Sequence, residues 1–204
     1  LQISKDYRDD ASQLNLTKVH KIVEVEREPK AIQQQLKQLL QYAKKHHLKV
    51  SISGAKHSMG GHTIYPDGIS INMLPYDHMS FDQNTNILTI GSGASWSKAL
   101  QYLDGFGKSI GVMQSFSNFS IGGSISVNGH GWQTGAAPVS SQMISFTLMK
   151  ADGAIVNCSR TENTELFKLV TGGYGLFGII LDVKTKVVDN TALKVHSIAL
   201  NPQD

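Results

Sequence analysis

The apolar residues Val50 and Ile52 lead into a run of glycines, histidines and small hydroxyl residues. The run covers residues 51–62 and reads Ser-Ile-Ser-Gly-Ala-Lys-His-Ser-Met-Gly-Gly-His. Glycines let backbone amides approach a ligand closely, and successive amides in such a loop form a concave site for an anion. The sequence therefore predicts an anion-binding loop, which is unusual in containing a histidine, His57. The alternative is a surface turn that carries a solvated histidine.

Two further glycine-rich stretches occur later in the chain. Residues 114–131 read Gln-Ser-Phe-Ser-Asn-Phe-Ser-Ile-Gly-Gly-Ser-Ile-Ser-Val-Asn-Gly-His-Gly, and residues 172–180 read Gly-Gly-Tyr-Gly-Leu-Phe-Gly-Ile-Ile. Together with residues 51–62, in this order and at these separations, they resemble the FAD-binding domain of the vanillyl-alcohol oxidase and p-cresol methylhydroxylase (PCMH) flavoenzymes. The resemblance covers about residues 17–190. The ordered set carries it, since each motif alone is weak.

The residues on either side of the first loop predict a strand, a helix and a second strand. Residues 22–26 alternate valine with glutamate, as in a strand with one solvent-exposed face. Pro29 suits the first turn of a helix, and apolar residues at helical spacing follow it as far as Ala43. Residues 49–53 form the second strand. Because such units have parallel strands, the loop that begins at Gly54 lies at the carboxyl end of a strand, where open α/β sheets bind ligands.

The rest of the chain predicts a mixture of strands and helices. Ser95 is a candidate N-cap for a helix whose apolar side carries Trp96, Ala99 and Leu103, and this side is predicted to lie in the core. The sequence Ala-Asp-Gly-Ala at 151–154 is typical of a hairpin turn. The other predicted elements are strands at 69–73, 87–90, 143–149, 155–157 and 177–188 and a helix at 162–170.

These elements predict an α+β fold. The resemblance implies two lobes with the cofactor between them: a small parallel α/β lobe at about residues 18–75 and a larger lobe with a mixed or antiparallel sheet at about residues 76–190. Together the lobes form a PCMH-type FAD-binding domain of residues 18–190. Residues 1–17 are expected to form an N-terminal arm, and residues 191–204 are expected to begin a substrate-binding cap domain.

Composition limits the classes of protein to which the chain can belong. Of the 204 residues, 40% are hydrophobic and 17% are charged, which is typical of a soluble globular protein. The net charge of +3 is small and the lysines are dispersed, so no nucleic-acid-binding surface is predicted. The single cysteine, Cys158, excludes an internal disulfide. No apolar run approaches the roughly 20 residues that span a bilayer.

Two other functional motifs fit the sequence poorly. The glycines of residues 173–178 match the dinucleotide-binding pattern G-x-G-x-x-G, but that pattern must follow a strand and begin a helix. Here a predicted helix precedes it and a predicted strand follows it. His57, His62 and His130 could supply three imidazole ligands to zinc, but no helical pair or carboxylate supports the geometry. Neither a nicotinamide site nor a metal site is therefore predicted.

The resemblance implies a role for each residue of the first loop. The residues that match the loop binding the pyrophosphate of FAD are Ser53, Gly54, Ala55, Lys56, His57 and Ser58. Backbone amides and hydroxyls in such a loop stabilise the phosphate charge without many lysines. Two positions depart from the family pattern, since Lys56 replaces a glycine and Ser53 stands where arginine is common. A lysine at this position must adopt whatever backbone angle the glycine served.

The histidines of the loop are matched to the flavin side of the site. His57 occupies the position that is bonded covalently to the flavin in cytokinin dehydrogenases and in aldonolactone or alditol oxidases. The resemblance therefore implies an FAD attached to an imidazole nitrogen of His57. The alternative is that His57 only forms a hydrogen bond with a noncovalently bound FAD. His62 matches a position that faces the cofactor, and its alternative is a histidine in a surface loop.

The later stretches match the parts of the family's site that surround the rest of the cofactor. The residues that match the run lining the phosphates and the ribityl chain are Ser115, Ser120, Gly122, Gly123 and Ser126. His130 matches a residue near the edge of the flavin ring, where it could stabilise negative charge on the reduced flavin. Its alternative is a structural histidine bonded to a backbone carbonyl. Ile179 matches a residue whose main chain meets the adenine, although its side chain alone predicts a core position.

The resemblance implies a flavin-dependent oxidoreductase. The expected reaction is hydride removal from a carbon next to an alcohol or amine, with electrons passed on to oxygen or another acceptor. A cap domain would hold the small-molecule substrate, so no catalytic residue is assigned apart from the flavin attachment. One alternative is a noncovalent FAD reductase of the enolpyruvyl-sugar reductase type, against which the pair His57-Ser58 argues. The other is a non-enzymatic binding module that retains the fold, which the departure at Lys56 favours.

Overall fold

The computed structural model describes residues 6–133, 135–194 and 196–199. It consists mainly of two β-sheets and the helices that pack on them. Parts of the predicted arm and of the predicted start of a cap domain therefore lie outside the described residues. The strands are β1 (Tyr7–Arg8), β2 (Thr17–Lys18), β3 (Lys21–Glu24), β4 (Val50–Ser53), β5 (Ile69–Asn72), β6 (Met79–Asp82), β7 (Ile87–Gly91), β8 (Lys108–Ser109), β9 (Met143–Met149), β10 (Ile155–Ser159), β11 (Ile179–Lys186) and β12 (Val188–Asp189). The helices are α1 (Pro29–Lys45), α2 (Trp96–Asp104), α3 (Ile121–Ser126) and α4 (Thr164–Val170), with a 3-10 helix at Val139–Ser141. Among the described residues, no helix is both long enough and apolar enough to cross a bilayer.

The small lobe is a three-stranded parallel sheet with the strand order β3–β5–β4, and α1 packs against it. Pro29 lies at the start of α1, as predicted, because a residue at this position has no helical partner for an N–H. The apolar residues of α1, from Ile32 to Ala43, face the core. Both β3 and β4 pair in parallel with β5, so the predicted strand–helix–strand unit is confirmed. The loop that begins at Gly54 therefore starts at the carboxyl end of β4.

The large lobe is built on a five-stranded antiparallel sheet with the strand order β10–β9–β11–β7–β6. Apolar residues of α2, α3 and α4 pack with residues of this sheet in the larger hydrophobic core. Helix α2 begins where it was predicted, because Ser95 Oγ accepts a hydrogen bond from Lys98 N at 3.3 Å. Strand β9 has the predicted bounds and pairs with β10 as the predicted hairpin. The α+β class, with a small parallel sheet and a larger antiparallel one, is confirmed.

Three features of the large lobe differ from the prediction. Strand β6 was not predicted, because its two apolar residues, Met79 and Phe81, are surrounded by turn-forming residues that hide the alternation. Helix α3 lies in the glycine-rich stretch, where two glycines oppose a helix. It forms because Ile121 and Ile125, four residues apart, are both buried in the larger core. The strand predicted at 177–188 is shorter in the structure, where it forms β11.

A β-bulge in β11 connects the two lobes. The pairing of β11 with β9 shifts between Ile180 and Val183, so β11 has one extra residue there. Ile180 and Val183 pack in the larger core, whereas Leu181 packs in a second core together with α1 and the small sheet. The next residue, Asp182, bonds to Tyr76 of the same second core. The bulge thus places two consecutive side chains of β11 next to the small lobe.

Asp182 joins the large lobe to the chain that leaves the small sheet. The Tyr76 hydroxyl donates a hydrogen bond to Asp182 Oδ1 at 2.9 Å, and His78 Nε2 lies 2.6 Å from the same oxygen. Tyr76 is fully buried. Burial and the neighbouring Asp182 carboxylate raise the pKa of Tyr76, so its phenol remains a hydrogen-bond donor. The pair therefore forms a partly buried polar link between β11 and the chain that leaves the small sheet.

We expect Tyr76→Phe to lower the free energy of unfolding by about 1–3 kcal/mol, because a hydrogen bond to a charged acceptor is lost. Urea denaturation measures this change. Tyr42→Phe is the matched control, since the Tyr42 hydroxyl lies on an exposed residue and is 3.5 Å from His20 Nε2. The control should change stability by only a few tenths of a kcal/mol. Equal effects of the two substitutions would contradict a linking role for Tyr76.

Candidate functional site

A cleft of about 470 Å³ lies between the small lobe and the large lobe. The small lobe contributes the end of β4 and the loop that follows it as far as Tyr65. The large lobe contributes α3, the chain just before it and the segment between α4 and β11. The three glycine-rich stretches, which are far apart in the sequence, therefore meet around one cleft.

Most of the predicted site residues line this cleft. They are Gly54, Ala55, Lys56, His57, Ser58, His62, Ser120, Gly122, Gly123 and Ser126. The lining also includes apolar side chains such as Ile52, Met73 and Ile180, and it contains no aspartate or glutamate. Lys56 gives the lining a positive charge. The cleft therefore suits a ligand that has both an anionic part and apolar parts.

The remaining predicted site residues do not line the cleft. Ser53 is buried, and its Oγ donates to a backbone carbonyl of β5 at 3.1 Å. Ser115 is exposed. His130 is also exposed, and its Nδ1 lies 3.2 Å from the carbonyl oxygen of the next residue, which is the geometry of its structural alternative. Ile179 is buried in the second core. A cofactor role for these residues stays a prediction.

The two walls of the cleft approach each other closely where Gly54 meets Ser120. A β-carbon on Gly54 would lie 2.0 Å from Ser120 Oγ, and Ala55 N donates to the same oxygen at 3.4 Å. Gly122 is also confined, though less than Gly54, since its β-carbon would lie 2.9 Å from the β-carbon of Ser92. Side chains do not fit at these two glycines without a shift of their neighbours, so the walls of the cleft are bare backbone there.

Two hydroxyl groups in the cleft have no hydrogen-bond partner among the described residues. They belong to Ser51 and Thr63, and both oxygens are shielded from solvent. Because buried hydroxyls normally form hydrogen bonds, these oxygens suit a polar ligand. No sequence signal identifies either residue as part of a site, since Ser51 lies inside a strand and Thr63 lies just beyond the glycine–histidine loop.

The two histidines of the loop are exposed and lie against aromatic residues of the large lobe. The ring centroids of His57 and Phe119 are 4.3 Å apart, and those of His62 and Tyr174 are 5.6 Å apart. Packing against Phe119 holds the imidazole of His57 beside the cleft. In the part of the chain that the structure describes, no group of three or more His, Cys, Asp or Glu side chains could hold a metal ion.

Lys56 has a backbone angle that glycine adopts most easily. Its φ is +56°, in the left-handed region, which costs a residue with a β-carbon roughly 1–2 kcal/mol. The lysine that replaces the family's glycine therefore carries local strain. Its carbonyl oxygen accepts a hydrogen bond from Ala11 N at 2.9 Å, so the N-terminal segment contacts the loop at the strained residue.

Asp10 also contacts the loop, and the sequence patterns do not identify it as a site residue. Its carboxylate is buried and accepts hydrogen bonds from Gly61 N at 2.6 Å and Ser58 Oγ at 3.3 Å. Burial alone would raise the pKa of Asp10, but hydrogen bonds from Ser12, Gly61 and Asn15 hold this pKa well below its usual range. The pattern Asp-x-Ser predicts a local turn, but nothing in it indicates contact with a loop so far along the chain.

We expect Lys56→Gly to raise the free energy of unfolding by about 0.5–1 kcal/mol. Glycine adopts the left-handed angle without a steric cost, and its larger loss of entropy on folding offsets part of the gain. Lys56→Ala is the matched control, because it removes the charge and keeps the β-carbon, and it should give no gain. Urea denaturation of the three proteins checks this. Equal stabilities of the two variants would show that the angle at Lys56 is not a source of strain.

A family model described as an FAD binding domain matches residues 28–159. The match covers more than half of the chain and includes the first loop and α3. The chain therefore belongs to this family of FAD-binding domains, and its cofactor is FAD.

Curated relatives include oxidases and dehydrogenases. L-gulonolactone oxidase from Mus musculus is 26% identical over 155 residues, which cover 76% of this chain and 35% of that protein. Cytokinin dehydrogenase 2 from Arabidopsis thaliana is 29% identical over 148 residues, which cover 71% of this chain and 30% of that protein. The chain thus spans about a third of the length of these relatives.

A solved structure has the same fold. The crystal structure of 6-hydroxy-D-nicotine oxidase from Arthrobacter nicotinovorans superimposes with a TM-score of 0.80 at 20% sequence identity, over 89% of this chain and 39% of that one. The resemblance to the PCMH-type domain is therefore confirmed, as is its similarity to cytokinin dehydrogenases and aldonolactone oxidases. The chain is therefore an FAD-binding domain of this family and fold.

Proposed function

We propose that the cleft between the lobes holds the FAD, with the pyrophosphate at residues 54–58 and the flavin ring next to His57. The observation that carries this proposal is the meeting of three separate glycine-rich stretches around one cleft, whose lining contains Lys56 and no carboxylate. A pyrophosphate needs hydrogen-bond donors and a site free of negative charge. The amides and hydroxyls of this loop supply the donors.

The other groups of the cleft fit the same cofactor. The unpartnered hydroxyls of Ser51 and Thr63 would bond to polar groups along the chain of the cofactor. The apolar side chains of Ile52, Met73 and Ile180 would pack against its flat rings. The bare backbone at Gly54 lets the cofactor approach the loop closely. These residues would bind and orient the FAD rather than take part in bond breaking.

We also propose that the FAD is attached covalently through His57. This histidine lines the cleft, and its ring packs on Phe119. No hydrogen bond from the described residues engages either ring nitrogen of His57, so a nitrogen is available for bond formation. The position of His57 in the loop, directly before Ser58, is the position of the flavin-linked histidine in the proteins that the sequence resembles.

The activity of the whole protein follows from the cofactor and from the named activities of the relatives. When bound, FAD supplies a hydride acceptor for the oxidation of a carbon next to an alcohol or amine. We place the FAD-binding domain at residues 18–190, and we propose that residues 191–204 lead toward a cap domain that holds the small-molecule substrate. The chain covers only about a third of its relatives, which leaves room for such a domain.

We expect the protein, after incubation with FAD, to keep its yellow colour in the pellet on acid precipitation, because a covalent bond survives unfolding. His57→Ala should bind FAD but release it into the supernatant. His46→Ala is the matched control, since His46 is exposed at the end of α1 and does not line the cleft, and it should behave as the parent protein does. Visible absorption of the pellet and the supernatant is the measurement.

The same spectra separate the other candidate functions. Colour that moves to the supernatant from the parent protein would contradict covalent attachment and would favour a noncovalent flavoenzyme such as a reductase. A folded protein that takes up no FAD at all would contradict the proposed use of the cleft and would favour a binding module that retains only the fold.

A further inference from the structure

The N-terminal turn, residues 9–15, is a compact unit held by its own side chains. Asp9 Oδ1 accepts hydrogen bonds from Asp10 N at 2.8 Å and from Asn15 N at 3.0 Å. Ser12 Oγ donates to Asp10 Oδ1 at 2.5 Å, and Asn15 Nδ2 donates to Ser12 Oγ at 2.9 Å. The turn therefore presents the carboxylate of Asp10 in a fixed orientation.

This turn packs against the FAD loop, residues 54–62, and bonds to it at three points. Asp10 Oδ2 accepts hydrogen bonds from Gly61 N at 2.6 Å and from Ser58 Oγ at 3.3 Å. Ala11 N donates to the carbonyl oxygen of Lys56 at 2.9 Å. The three bonded loop residues span most of the loop, so the turn holds the path of the loop rather than one of its ends.

The turn and the loop are also tightly packed where Gly61 meets Asn15. Gly61 has a φ of +71°, and a β-carbon there would lie 3.3 Å from Asn15 Cγ. Asp10 itself is only 6% exposed, and its charge is balanced by hydrogen-bond donors of the turn and of the loop. A buried carboxylate that loses such donors is strongly disfavoured, so the turn and the loop are expected to stay together.

The loop needs this support because it contains a strained residue. Lys56 has a left-handed backbone angle, with φ of +56°, that a lysine does not adopt readily. Such an angle persists only where surrounding contacts impose it. The contacts at Lys56, Ser58 and Gly61 lie on both sides of His57, the residue proposed to carry the flavin.

We propose that Asp10 is a positioning residue for FAD binding: it holds the FAD loop in its binding conformation before the cofactor arrives. Preorganisation of this kind lowers the cost of ordering the loop on binding. Asp10 does not line the cleft, so it acts through the loop and not by contact with the ligand. The part of this inference that concerns affinity rests on the proposed FAD site, whereas the part that concerns the loop does not.

The first test is limited trypsin digestion of the protein without FAD. Lys56 lies inside the loop, so the rate of cleavage after Lys56 reports how often the loop opens. We expect Asp10→Asn to raise this rate about tenfold or more, because hydrogen bonds to a charged acceptor are weakened. Asp82→Asn is the matched control: Asp82 is also an aspartate that accepts hydrogen bonds in a local turn, from Asn84 N and Thr85 Oγ1, but it lies in β6. It should leave cleavage after Lys56 unchanged.

Cleavage after Lys37, in the middle of α1, separates loop opening from general unfolding. An equal rise at Lys56 and Lys37 in Asp10→Asn, or no rise at Lys56, would overturn the proposal. If Asp10→Asn does not fold, Ser12→Ala takes its place, since it removes one donor to Asp10 and lies outside the cleft. It should give a smaller rise confined to Lys56, and an unchanged rate at Lys56 would again overturn the proposal.

The second test is the affinity for FAD in the His57→Ala background, where no covalent bond can form, measured by quenching of flavin or tryptophan fluorescence. We expect Asp10→Asn to raise the Kd about tenfold, because the open loop must be ordered again on binding. An unchanged Kd together with faster cleavage at Lys56 would overturn a role for Asp10 in FAD binding. If the parent protein binds no FAD, the proposed site fails, and the digestion still decides whether Asp10 holds the loop.

Discussion

The contact between the two lobes is the constraint on which the cleft depends. Gly93 comes so close to the chain leaving the small sheet that a β-carbon there would lie 1.8 Å from the carbonyl oxygen of Met73. The bulge in β11 then sends Leu181 into the core that both lobes share and brings Asp182 to the hydroxyl of Tyr76. Because these contacts are buried and closely packed, each lobe holds its wall of the cleft in place.

The chemistry of the cleft comes from backbone, hydroxyls and histidines more than from charge. Gly54 and Gly122 expose bare backbone, and Lys56 is a lining lysine in a site without carboxylates. The loop is locally strained, since the backbone of Lys56 has a left-handed φ angle that suits glycine. Contacts with Ala11 and Asp10 offset that strain from outside the cleft. Strain in a loop that lines the cleft is thus supported by residues that do not line it.

The relatives show what this domain does not determine. Their names describe different substrates, a gulonolactone for one enzyme and a cytokinin for another, yet this chain matches about a third of each. A 6-hydroxy-D-nicotine oxidase has the same fold over a similar share of its length. A domain fold shared by proteins with such different names does not by itself define a substrate. The family therefore assigns a cofactor to this chain and no particular substrate.

The sequence by itself determined most of the local elements, the order of the motifs and the identity of the cofactor. The spacing of apolar residues in α1 and the cap at Ser95 are local properties, so these helices could be predicted. Only the tertiary structure decided which motif residues face the cleft, since Ser53 and Ile179 belong to the motifs and yet lie in the core. It also decided that α3 is helical in spite of its glycines, and that Asp10 holds Gly61. Those outcomes depend on packing between residues far apart in the chain, and no local pattern encodes such distances.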